Sequence, residues 1–290
     1  MRLGWYFRVL SFDVVVGVVG AATLLGHLWG AKPAPVVLGL LAGATWLVYT
    51  LDHLLDARRI SGQAHNPRHG FFQRNRVWLW RVWLLVLLLL AGVALPVVRT
   101  DLRLLVLGGW AVGLVVAHLL ALELLKGVGH VWLPKEFGVA FIYSYGACLP
   151  ALVRWQPGMG SYGAIEAVQS PLFWVPFVQL VLVAWMNLLV YSYFEFQSDR
   201  HDGQLGSNAG RSPEALRVGI LVLLVAVLAL GVALSWRYPA TRRYSYVVWM
   251  MGIALVQALV VTFDQPAHRH ERYRIWAESA FFAPLLLWLW

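Results

Sequence analysis

Long apolar runs broken by short polar stretches recur along the whole of this 290-residue chain. Runs near the roughly 20 residues needed to cross a bilayer lie at about 10–30, 35–55, 77–97, 103–122, 135–153, 172–194, 215–235, 244–263 and 274–290. This pattern predicts an all-α integral membrane protein of nine transmembrane helices, with residues 1–290 forming a single transmembrane domain. The two longest polar stretches, Ala57 to Arg76 and Gln197 to Arg217, follow the second and sixth spans. Their matched positions suggest pseudo-repeated halves, spans one to four and five to eight, with the ninth closing the bundle. Repeat symmetry in membrane folds places the binding site where the halves meet.

Composition agrees. The chain is 60% hydrophobic and 13% charged with 16 Trp, against roughly 25% charged residues in ordinary soluble domains. Mean hydropathy is +0.67. A net charge of +9 raises the question of nucleic acid, but the distribution of the charge argues against it. With the N-terminus inside, only Lys32, Arg99, Arg103, Arg154, Arg237, Arg242 and Arg243 of the 23 basic residues fall outside. That is the positive-inside asymmetry of a membrane topology, and it puts the N-terminus and both long loops in the cytoplasm and the C-terminus outside. Arg2 and Arg8 precede an apolar run as in a signal peptide, but the run is long and carries Asp13, so it reads as a retained span. Cys148, the single cysteine, lies within a span and excludes an internal disulfide or a cysteine-rich metal site.

Against this apolar background, two acidic clusters stand out. The first is Tyr49-Thr50-Leu51-Asp52-His53-Leu54-Leu55-Asp56, and the second is Glu195-Phe196-Gln197-Ser198-Asp199-Arg200-His201-Asp202. Helical spacing puts Asp52 and Asp56 on one face, and Glu195, Asp199 and Asp202 on another. The two rows hold five of the chain's 14 acids, at the ends of spans where unpaired charge is costly. Mg²⁺ takes hard oxygen ligands and is usually bound by a few carboxylates together with substrate phosphates. Two facing rows would hold Mg²⁺ ions that bridge a diphosphate and help an allylic diphosphate to ionise. Arg68, Lys126, Lys135 and Arg200 are the best-placed cations for the phosphates. Tyr143, Tyr145, Tyr191 and Tyr193, on the flanking spans, could stabilise a developing carbocation with their ring faces.

These residues resemble the UbiA superfamily of intramembrane prenyltransferases, whose Asp-rich motifs follow the second and sixth of nine helices. The family's first motif, N-D-x-x-D-x-x-x-D, is matched in its last two acids by Asp52 and Asp56, while Val48 and Tyr49 stand in place of Asn-Asp. Its second motif is matched by Glu195, Asp199 and Asp202, with Glu195 in place of an Asp. Arg68 resembles the family's basic residue after helix two, and Lys126 or Lys135 the lysine before helix five. The resemblance implies a Mg²⁺-dependent transfer of a prenyl group from a polyprenyl diphosphate to an apolar aromatic or lipid acceptor. It also implies metal ligation by Asp52, Asp56, Glu195, Asp199 and Asp202, phosphate contact by Arg68, Lys126, Lys135 and Arg200, and catalytic roles for Asp52, Asp56, Asp199, Tyr143 and Tyr193. Membrane lipids are the expected surroundings, and nucleic acid is not an expected partner.

Two other readings remain. The missing Asn-Asp is compatible with an intramembrane terpene cyclase, which needs no acceptor, and the fold alone with a non-catalytic lipid-binding or transport protein. His53, His65, His69 and His201 match no compact metal spacing and are assigned to hydrogen bonding in the loops. Asn187, mid-span, reads as a hydrogen-bonding or cavity-facing residue, and Asp13 and Asp264 as caps or ion-pair partners.

Overall fold

The computed structural model describes residues 2–60, 62–124, 135–154, 171–201, 212–237, 241–263, 272–282 and 285. All its regular elements are α-helices: α1 (Arg2–Val9), α2 (Phe12–Trp29), α3 (Pro35–Arg59), α4 (Pro67–Arg74), α5 (Arg76–Thr100), α6 (Leu102–Leu124), α7 (Lys135–Arg154), α8 (Pro171–His201), α9 (Pro213–Arg237), α10 (Thr241–Thr262) and α11 (Arg272–Phe282). Among the described residues eight helices are long and apolar enough to cross a membrane, and they coincide with the first eight predicted spans. The ninth, expected over 274–290, is represented by the eleven residues of α11. Most of the chain beyond α11 lies outside the described residues.

The ends of the helices reflect local chemistry. Gly30 closes α2 with φ of 65°, its N–H bonding back to the carbonyls of Gly26 and His27, the left-handed conformation that glycine adopts without a Cβ penalty. Pro35 opens α3, where its missing N–H costs no helical hydrogen bond. Ser11, at φ 58°, separates α1 from α2. The stretch Ala57 to Arg76, a polar loop by its sequence, contains α4. Its start is an Asn-Pro pair, in which the Asn66 side chain accepts the Arg68 backbone N–H and Pro67 fills the first helical position. That cap signal outweighs the polar composition.

The main core joins α2, α7, α8, α9 and α10, with Phe281 of α11 packed into it. α5 and α6 lie at the periphery and bury only Leu79 and Leu104 respectively, leaving leucines such as Leu88 and Leu102 about 70% exposed. In hydrocarbon such a surface is solvated by lipid, and side chains supply what the interrupted backbone lacks. Pro176 inside α8 has no N–H for the carbonyl of Leu172. The Trp29 indole donates to that carbonyl at 3.1 Å. Tyr246 donates to the carbonyl of Pro176 at 2.7 Å, and Gln179 to that of Val227 at 3.0 Å. Trp83 and Tyr145 donate in the same way to Leu47 and Leu107, tying α5 to α3 and α7 to α6.

At Gly20 the backbone of another helix comes closer than a side chain would allow. A Cβ on Gly20 of α2 would sit 2.6 Å from the carbonyl oxygen of Phe281 in α11, whereas one on Gly92 of α5 would meet nothing within 4 Å. Gly20→Ala should therefore push α2 from α11 and destabilise by about 1–3 kcal/mol, lowering the thermal midpoint in detergent. Gly92→Ala should hold or raise the midpoint, since alanine is the better helix former.

Candidate active site

Asp52, Asp56 and Glu195 lie at one end of the bundle, and α7 supplies the first link between the acids of α3 and the core. α3 remains helical through Arg59, so Asp52 and Asp56 share a face. Lys135, at the first position of α7, extends its ammonium between them, 3.7 Å from Asp52 and 3.3 Å from Asp56. Arg59 adds a contact of 3.0 Å to Asp56 and reaches Glu123 on α6 at 2.7 Å. Only 8% of the Asp56 side chain is exposed, against 24% for Asp52. Asp56 is thus tied into the structure, and Asp52 is the more open of the two.

The second cluster meets the first through the loop ahead of α4. Asn66 caps α4 with its side-chain oxygen and donates from its nitrogen to Glu195 at 3.0 Å. The other oxygen of Glu195 receives Arg274 of α11 at 2.6 Å and the Tyr273 hydroxyl at 3.3 Å. Both oxygens of Glu195, expected to face metal, are therefore engaged by protein donors. The rings of His65 and His201 lie 5.5 Å apart, so the loop after the first cluster also touches the end of α8. Arg68 lies between the clusters, with its guanidinium 3.3 Å from His53. Burial works against the charge of Arg68, but the carboxylates of Glu195 and Asp13 outweigh it and hold Arg68 above its ordinary value.

Three cavities open around these groups. An apolar channel of about 470 Å³ runs between α3, α5, α6 and α7, and Asp52, Tyr49, His118 and Tyr143 border it. Its wall extends along α3 from Asp52 to Val37, about 22 Å at 1.5 Å per residue. A smaller polar cavity of about 70 Å³ is ringed by Asp13, Tyr49, Arg68, Tyr143, Asn187, Tyr191 and Glu278. Tyr49 and Tyr143 border both. A third, an open groove of about 900 Å³ between α1 and α11, shares the lining residues Asp13 and Glu278 with the polar cavity.

The structure thus brings Asp52, Asp56 and Lys135 together and puts Glu195 and Arg68 in an adjoining network. Lys126 and Asp202 lie outside the described residues, and so does Asp264. Asp199 is described only as backbone on α8. Arg200 is exposed at the end of that helix. Among the described residues no group of three or more acids, histidines or cysteines is close enough together to hold a metal ion. Tyr193 packs on Phe194, while Tyr191, one turn from Glu195, lines the polar cavity. Four participants escape a reading of the sequence as site residues: Arg274 and Tyr273, which sit at the head of the predicted ninth span, and Asp13 and Glu278. By sequence Asp13 is a cap or pairing residue, and Glu278 is a single acid in an apolar run. A carboxylate inside a predicted span is the signal that could have found both.

No family sequence model matches the chain, and no curated protein matches it in sequence. In structure it is similar to the apo form of a UbiA homolog from Aeropyrum pernix K1, with a TM-score of 0.67 over 95% of this chain and 98% of that one, at 15% identity. The chain has the UbiA fold. The similarity extends over nearly the whole bundle, so the acidic ends of α3 and α8 are parts of a UbiA-fold protein, as their sequence resemblance implied. At this identity the match fixes architecture; the chemistry rests on the residues.

The Arg274–Glu195 pair tests how this end of the UbiA fold is held. Arg274 is 4% exposed, and removing one partner of a buried pair costs about 3–5 kcal/mol. Arg274→Met should lower the thermal midpoint sharply, and adding Glu195→Gln should recover much of the loss, as thermal unfolding of both variants would measure.

Proposed function

We propose that this UbiA-fold protein is a prenyltransferase that takes a prenyl diphosphate from the membrane and passes the prenyl group to a lipophilic acceptor. The observation that carries this reading is the apolar channel with Asp52 on its wall and, beside Asp52, the Lys135 ammonium shared with Asp56. A hydrocarbon chain fits the channel without loss of hydrogen bonds, and a polyanionic head would then lie beside Asp52 and Lys135.

The donor set suits a hard cation. Asp52 and Asp56 offer carboxylate oxygens on one helix face, and Mg²⁺ prefers such oxygens together with phosphate. In this reading Asp52 and Asp56 would hold Mg²⁺ together with Asp199 and Asp202 of the second cluster. Glu195 remains in the Arg274 network, orienting Asn66 and the loop. Bound Mg²⁺ would neutralise the diphosphate and assist its departure.

The chain's own cations do the rest. Lys135 gives the phosphates a mobile point charge, and Arg68 offers a planar fork; Lys126 and Arg200 are further candidates. Tyr143 and Tyr49 border the channel near its acidic end, where ring faces favour positive charge developing on the prenyl carbon. Tyr49 occupies the position of a family acid, which shifts that part of the site from metal ligation towards lining the channel.

Purified protein in nanodiscs, given radiolabelled farnesyl or geranylgeranyl diphosphate, tests the reading. Binding should require Mg²⁺, and Asp52→Asn and Lys135→Ala should each weaken it at least tenfold; undiminished binding in Asp52→Asn, or with EDTA, would refute the proposal. Label recovered on a lipid or aromatic acceptor supports transfer, whereas a cyclic hydrocarbon or alcohol would point to a cyclase. Gly108, on the channel wall with open space where its Cβ would be, gives a second test. It lies ten residues from His118, about 15 Å along α6, so Gly108→Phe should shift preference towards shorter prenyl chains.

A further inference from the structure

The polar cavity is set apart from the channel, and its lining has its own requirements. Asp13 and Glu278 are 4% and 5% exposed, and Asn187 is 9% exposed. Asn187 donates from its amide nitrogen to Glu278 at 3.2 Å, and the Tyr191 hydroxyl also donates to Glu278. These bonds orient the Asn187 amide, leaving its carbonyl oxygen buried, on the cavity lining and without a hydrogen-bond partner. A buried acceptor left unpaired is costly. Whatever fills this cavity relieves that cost only by donating a hydrogen bond.

Charge selects further. Two carboxylates, Asp13 and Glu278, border the cavity with one guanidinium, Arg68, and Arg68 also faces Glu195. A carboxylate head would add a third negative charge to this small space. A hydroxyl or amine would complete the Asn187 carbonyl and bond to an acid as well. At about 70 Å³ the cavity is too small for an aromatic ring and large enough for a hydroxymethyl or aminomethyl group. The groove between α1 and α11 shares Asp13 and Glu278 with the cavity lining; Trp5, Phe7 and Phe282 offer it apolar surface, and Arg8, Arg272 and Arg274 line it as well, outside the cavity.

We infer that this cavity is the head-group subsite for the acceptor: it takes the hydroxyl or amine of an amphiphile whose chain lies in the α1–α11 groove, and it excludes acceptors with a carboxylate head. The inference rests on the prenyltransferase reading for the word acceptor, and on the cavity alone for the ligand chemistry. Tyr49 and Tyr143, which line both spaces, then flank the place where the nucleophile would approach the prenyl carbon.

The test uses the full chain in phosphatidylcholine nanodiscs with three probes of one chain length: monooleoylglycerol, oleylamine and oleate. Native mass spectrometry across a concentration series should give at least tenfold tighter binding of the alcohol or the amine than of oleate; the stronger of those two identifies the source of the donor. Asn187→Leu and Glu278→Gln should each abolish that preference while Mg²⁺-dependent binding of farnesyl thiodiphosphate persists, which reports on folding. Equal binding of oleate, or an unchanged preference in both variants, would overturn the inference. Should the variants misfold, a diazirine analogue of monooleoylglycerol decides on the wild-type chain: adducts on α1 and α11 support the subsite, and adducts confined to α5 and α6 refute it. Loss of the preference in Asn187→Leu together with undiminished thiodiphosphate binding in Asp52→Asn would sink the proposed function and leave this site standing.

Discussion

The ammonium of Lys135 between Asp52 and Asp56 is the contact on which this end of the bundle depends. Two carboxylates one helical turn apart repel, and at the margin of hydrocarbon their charges are poorly solvated. A lysine at the first residue of α7 offsets both at once. It joins α7 to α3 at the level where the channel reaches Asp52, and it holds an exchangeable positive charge there. Arg59 performs the related task for Asp56 on the other side and carries the link to Glu123 of α6.

A second set of pairings, around Glu195, has a different character. Arg274 is buried, Asn66 serves both the α4 cap and the carboxylate, and Tyr273 adds a hydroxyl. Buried charge that is fully hydrogen-bonded favours one arrangement over its alternatives. Asp52 remains the more open and Glu195 the more enclosed, so two acids that look alike in sequence have different surroundings in space.

Much of the fold is legible in the chain because lipid imposes a simple rule: a backbone that crosses hydrocarbon must satisfy its own hydrogen bonds. Length and hydropathy alone are enough for eight spans. The acids of α3 stand out because carboxylates are rare in such helices. α4 is hidden by its polar composition, although Asn66-Pro67 announces its start. The partner of Glu195 is hidden because Arg274 is nearly eighty residues away and looks like a topological charge. The polar cavity is hidden for a similar reason: Asp13, Asn187 and Glu278 sit on three helices, and periodicity describes each helix without saying which faces meet. The choice between Lys126 and Lys135 is open in the sequence, and geometry shows that Lys135 reaches the acids.

The glycines of α2 add a constraint of another kind. Gly20 lies against the backbone of Phe281, and Gly17 has the Tyr143 hydroxyl 3.3 Å and a Glu278 oxygen 3.9 Å from where its Cβ would be. Asp13 is one turn along α2 from Gly17, and Glu278 nearly one turn along α11 from Phe281. The gap between those two acids is consequently gauged by main chain resting on main chain. Side chains around it can drift over evolutionary time while the aperture keeps its bore, so relatives sharing these two glycines should inherit its dimensions even where they have exchanged its lining.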